Sequence, residues 1–146
     1  MGIMRDFFAF TGRLGLAAVL LAHGLQKFLQ WGIPGTITAF AQMGVPAPQI
    51  AAWFSAVVEV VGAVSLIIGL AMPLFGILIA LEMAGALYFV DVPHGPLQIV
   101  TFEALLVGTG ALALGFNGGR WSLDYALVGR KRGRHERNKR NTLPEI

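Results

Sequence analysis

Two groups able to hold or exchange a proton stand four residues apart in an apolar run, His23 and Lys27 of Ala22-His23-Gly24-Leu25-Gln26-Lys27. Positions i and i+4 share one face of an α-helix, so this spacing predicts an imidazole and an ammonium pointing the same way. Three carboxylates, Glu59, Glu82 and Glu103, each sit inside a further apolar run. Ionisable groups in hydrocarbon are costly, and they mark either pairing between helices or a site that handles charge. One ammonium and one imidazolium cannot neutralise three carboxylates, so at least one carboxyl is left over. A protonated carboxyl beside an imidazole is the equipment for proton transfer coupled to a small redox or transported molecule.

The elements that must position these groups follow from composition. Of 146 residues, 55% are hydrophobic and 13% charged, about half the charge of an ordinary soluble domain. A hydrocarbon core about 30 Å thick requires a helix of about 20 apolar residues. Four segments qualify: Phe7–Gln30, Gln49–Met72, Leu74–Val90 and Leu97–Phe116. The expected fold is all-α, a four-helix transmembrane bundle running up-down-up-down over residues 1–128, with a basic tail over 129–146. Between Trp31 and Pro48 the breakers Gly32, Pro34, Gly35, Gly44, Pro46 and Pro48 frame one short helix, Thr36–Met43, expected to lie as a lid at the membrane surface. Met72-Pro73 and Asp91–Pro96 read as tight turns, and no strand periodicity competes with the helices.

Charge sets the expected orientation. Eight of the eleven Lys and Arg lie in Arg120–Arg140, whereas Trp31–Pro48 and Asp91–Pro96 contain none. Basic residues favour the cytoplasmic side, which puts both termini there. The first apolar run lacks a small-residue cleavage site and reads as a retained helix. Arg13 is expected to snorkel to the headgroups. The tail would attract anionic lipid by about 1 kcal/mol per basic residue, and no folded module accompanies it that would direct it to nucleic acid. The expected partners are the bilayer and other membrane subunits or further copies of the chain. The absence of cysteine excludes disulfide exchange, thiolate metal sites and haem attached through Cys-x-x-Cys-His.

A helix rises about 1.5 Å per residue, which allows depths to be compared. Measured from the outer ends of their helices, His23 lies about 10 Å down, Lys27 about 5 Å, Glu103 about 9 Å, Glu82 about 12 Å and Glu59 about 15 Å. All five fall in one outer-middle layer and are expected to converge inside the bundle. Two readings stay open. The pairs can simply hold the helices in register, or they can line a cavity open to the outside. No Glu-x-x-His pair occurs, and His23 alone reaches the layer, so a carboxylate-bridged metal centre is not expected. A haem held by two histidines would need His94, in the expected outer turn after Pro93; a haem on a single ligand stays open.

Taken in order, these residues resemble the DoxX-like membrane proteins over Arg13–Asp124. The carriers are Arg13 with Gly15, His23-Gly24 followed by Lys27, and Phe40-x3-Gly44-Val45-Pro46-x-Pro48. Glu59 with Gly62 and Gly69, Glu103, and the closing run from Gly118-Gly119 to Ser122-Leu123-Asp124 complete the pattern. The resemblance implies a redox association, since the family is named for a subunit linked to a terminal quinol oxidase. It also implies that His23, Lys27, Glu59 and Glu103 form a shared polar core. Without cysteines, a redox role has to use a quinone, another bound cofactor or a partner subunit. The expected function is a subunit or accessory of quinone-linked electron transfer. His23 and Lys27 would bond a quinone carbonyl, with Gln26, Glu59 and Glu82 completing the ligand site. Glu59 or Glu103, with His23, would exchange the proton. The alternatives are a structural subunit of a respiratory or photosynthetic complex and a small proton-coupled transporter.

Overall fold

The computed structural model describes residues 2–91 and 99–129; His94, most of the turn before the last long helix, and the tail beyond Gly129 lie outside them. The described chain is helical, with no strand among these residues. Helix α1 spans Gly2–Leu25 and continues through a π-helical turn, Gln26–Gln30. Helices α2 (Gly32–Gln42), α3 (Pro48–Ile68) and α4 (Met72–Ala86) follow, α4 running into a second π turn over Leu87–Asp91. Helix α5 covers Ile99–Phe116, and a last short helical segment occupies 123–129. Three segments are long and apolar enough to cross a membrane: Gly2–Gln30, Pro48–Ile68 and Met72–Phe89, with Glu103–Phe116 a shorter apolar helix.

Several boundaries differ from the sequence expectation, each for a local reason. Helix α2 starts at Gly32, four residues before Thr36, because Pro34 falls in its first turn, where a missing N–H costs nothing. Helix α3 stops at Ile68 instead of Met72, because Gly69 takes the left-handed conformation (φ 72°) and closes the helix. The tight turn is therefore Gly69–Ala71, and Met72-Pro73 opens α4. Ala71 is itself left-handed, at φ 54°, a conformation that costs a non-glycine residue free energy. The Asp124 carboxylate holds this turn, accepting from the amides of Ala71 and Met72, each at 2.8 Å. It thereby satisfies the donors that any helix N-terminus leaves open.

Helix α1 packs chiefly on α3, and α4 chiefly on α5, while α2 covers α3 and the π turn. Small residues let these pairs close. A Cβ added to Gly76 would lie 2.6 Å from the Ala111 carbonyl oxygen, and one added to Gly115 would lie 2.9 Å from that of Met72. The backbones of α4 and α5 thus touch, as small-residue interfaces in membranes permit. Gly24 makes the equivalent contact between α1 and α3, against Val60 and Glu59, whereas Gly15 faces nothing within 4 Å. The apolar core, including Ala17, Leu20, Val58, Ala63, Leu66, Met72, Ile79, Val107 and Ala111, fills the middle between two polar layers.

The layer at the Arg13 end holds the helix ends together. Arg13 does not reach outward to headgroups; it is buried, with 1% of its surface exposed. Its Nε donates to Leu66 O (2.7 Å) and its Nη2 to Ile67 O (2.9 Å). Nη1 donates to Gly118 O (3.1 Å) and Trp121 O (2.8 Å). The last carbonyls of α3 lack helical donors, and a guanidinium placed there meets both their lone pairs and the helix dipole. Close by, buried Asp6 accepts from the Arg120 amide at 3.0 Å and from its Nε at 2.7 Å. Ser122 accepts from the Tyr125 amide at 3.2 Å, capping the final segment.

Candidate functional site

The opposite polar layer is the candidate site. Helix α3 buries the stripe Ala52, Ser55, Ala56, Glu59, Gly62, Ala63 and Leu66, residues three and four apart that are small apart from Glu59 and the closing Leu66. Gly24 lets α1 approach this stripe at the level of Glu59. The π turn then carries Lys27 over it. Its defining bond, from the Trp31 amide to Gln26 O (3.1 Å), spans five residues instead of four.

His23 and Lys27, one turn apart, meet different partners. Lys27 turns to α3, where its Nζ donates to both Glu59 oxygens at 2.6 Å. The pair is enclosed, with 12% of the lysine side chain and 4% of the glutamate side chain exposed. His23 turns to α5, where its Nε2 lies 3.6 Å from Glu103 Oε1, and these two side chains are 44% and 41% exposed. The five predicted groups thus form two clusters, one enclosed by protein and one open.

The enclosed cluster gains a member from α4. Glu82 Oε1 accepts from the Ser55 hydroxyl, which brings the Glu82 carboxyl to the buried face of α3 one turn from Glu59. The second Glu82 oxygen is shielded from solvent and meets no donor. Ser55 was absent from the sequence-predicted set. Its signal was available, since it lies one helical turn before Glu59 on the same face.

In the open cluster the proton positions on His23 follow from its neighbours. Nδ1 lies 3.2 Å from the Val19 carbonyl oxygen, which can only accept, so Nδ1 carries the hydrogen. A neutral imidazole then presents a lone pair at Nε2, and proton uptake there turns Nε2 into a donor facing Glu103. At 3.6 Å the contact is an ion-pair distance, longer than a direct hydrogen bond. Beside it lies an open depression of about 360 Å³ lined by Ala22, His23, Leu25, Gln26, Leu29 and Gln30. Gln26 therefore shares a surface with His23, while Lys27, Glu59 and Glu82 do not line it. Among the described residues, no three His, Asp or Glu side chains converge in an arrangement suited to a metal ion.

Comparison with known proteins agrees with the residue pattern. The DoxX family model matches residues 8–92. A Bacillus subtilis (strain 168) protein named "Putative oxidoreductase CatD" is 33% identical over 117 residues, which cover 79% of this chain and 84% of the relative. No solved structure matches the chain. The match spans α1 to α4 and includes His23, Lys27, Glu59 and Glu82: this chain is a membrane protein that belongs to the DoxX family.

Proposed function

We propose that the protein binds a quinone at the His23–Glu103 end of its helices and exchanges protons with it during membrane electron transfer. The observation that carries this reading is the half-exposed His23–Glu103 pair at the edge of a depression whose other polar groups are the Gln26 and Gln30 amides. A quinone head has two carbonyl acceptors and takes up protons with electrons. Its recognition therefore needs donors at the surface and a proton-exchanging group within reach. Gln26 supplies one donor and His23 a second once its Nε2 is protonated, and Glu103 exchanges the proton that Nε2 gains or loses. Lys27 is committed to Glu59 by two bonds and supports the site from behind. The oxidoreductase name of the Bacillus relative is in keeping with a redox role.

The test is a thermal-shift titration of the purified protein with short-chain ubiquinone and menaquinone. Quinone is expected to raise the melting temperature of the wild type and to leave a His23→Leu/Gln26→Leu variant unshifted. No shift in the wild type, or an equal shift in the variant, refutes the reading.

The proposed setting is a four-span up-down bundle in a bacterial or archaeal cytoplasmic membrane, with both termini on the cytoplasmic side. The concentration of Lys and Arg after Arg120 and their absence from 31–48 support it. The basic segment would then face anionic lipid or a neighbouring subunit. Because the chain has no cysteine, single cysteines report sidedness cleanly. In intact cells a membrane-impermeant maleimide should label Thr38→Cys, on the exposed face of α2, and should reach Asn141→Cys only after permeabilisation. The reverse pattern inverts the orientation.

A further inference from the structure

Four groups meet in the enclosed cluster: Lys27 from the π turn, Ser55 and Glu59 from α3, and Glu82 from α4. Their charges do not balance. Lys27 is the one cation brought to them among the described residues. Arg13 is spent on carbonyls at the far end of the helices, Arg120 on Asp6, and Arg5 is exposed. His23 faces Glu103 on α5 instead, and α2 adds a buried hydroxyl, Thr36, which is bonded to its own helix at Gly32 O. Two carboxylates and one ammonium would leave a net negative charge in a largely enclosed cluster, and an uncompensated charge in such a place is expensive.

The hydrogen bonds show where the balance can be restored. Both Glu59 oxygens are taken by Lys27, and one Glu82 oxygen by Ser55. The remaining Glu82 oxygen is shielded and has no donor. As a carboxylate atom it would be an unsatisfied acceptor. As a hydroxyl it becomes a donor, and the neighbouring carboxylate is Glu59, one turn from Ser55 on the buried face of α3.

We propose that Glu59 and Glu82 share one proton in a neutral site closed by Lys27 and Ser55, a proton store separate from the exposed His23–Glu103 pair. Release of that proton leaves the cluster with one negative charge and uptake restores neutrality, so the store serves a ligand that gains or loses protons. The inference does not depend on the identity of that ligand: failure of quinone to bind leaves it standing, and its own failure leaves quinone binding untouched.

Infrared spectroscopy of the full chain in lipid nanodiscs at neutral pH tests it. A protonated carboxyl has a C=O stretch that shifts down in D₂O and on 13C-glutamate labelling. The wild type should show this band. Glu82→Gln, a nearly isosteric change, should lose one carboxyl's intensity, because Lys27 then balances Glu59 alone. Lys27→Met should gain one, and the double variant Lys27→Met/Glu59→Gln should return to the wild-type intensity with Glu82 as the proton carrier. Ser55→Ala should keep the band and move its frequency. A wild-type band indifferent to glutamate labelling, or one of unchanged intensity in Glu82→Gln, overturns the proposal. The isotope arm needs no variant, so it decides even if a substituted chain fails to fold.

Discussion

Arg13→Ala should remove most of the folded protein from the membrane. The guanidinium is fully enclosed and supplies four hydrogen bonds, to the carbonyls of Leu66, Ile67, Gly118 and Trp121. Two of these carbonyls belong to the last turn of α3, where no helical amide can serve them. Each buried acceptor left without a donor costs about 1–3 kcal/mol. Four together approach the whole stability of an ordinary domain, about 5–15 kcal/mol. Arg13→Lys keeps the charge and three donors but loses the planar fork, so it should fall between wild type and alanine. Melting of a fluorescent fusion in detergent, followed by size-exclusion chromatography, reads the order. An alanine variant that melts within a few degrees of wild type would show that the carbonyls find other donors.

The second large effect is expected at Lys27 and Glu59. Removing one member of an enclosed ion pair costs about 3–5 kcal/mol, here through the second proton that the carboxyls must take up in Lys27→Met and through the proton that Glu82 must release in Glu59→Gln. Lys27→Met and Glu59→Gln should therefore each destabilise strongly. The double variant should be more stable than the sum of the two losses predicts, because neither charge remains. The same melting assay closes the cycle. Additive losses would mean that water screens the pair, contrary to its burial on both sides. The His23–Glu103 pair provides an internal control. With more than two fifths of each side chain uncovered by protein and no hydrogen bond between them, His23→Gln should destabilise less than Lys27→Met.

The existence of apolar helices was legible because hydrocarbon demands long apolar runs, and the chain has them. The positions of the charges were legible too, since ionisable residues stand out in such runs. Boundaries were less so. Gly69 inside an apolar stretch reads equally as a packing residue or as a cap, and only the left-handed backbone at that residue decides for the cap. Gly15 and Gly24 look alike in the sequence; one meets open space and the other Glu59 and Val60. Arg13 is a similar case. Its distance from a helix end suits snorkelling, and nothing local reveals that carbonyls from α3 and from the loop before 123–129 converge on it.

The candidate site divides along the same line. The sequence by itself determined that an imidazole, an ammonium and three carboxylates would have to be paired or enclosed, because the solvent available to a membrane helix leaves charged groups no cheaper option. The tertiary structure decided which groups meet. An α-helical reading puts His23 and Lys27 on one face. In the structure Lys27, in the π turn at Gln26–Gln30, reaches Glu59 on α3, and His23, one turn earlier, stands beside Glu103 on α5. Which charged group enters the enclosed cluster and which stays at the open edge depends on how α3 and α5 pack beside α1, because long side chains one turn apart can reach different neighbours.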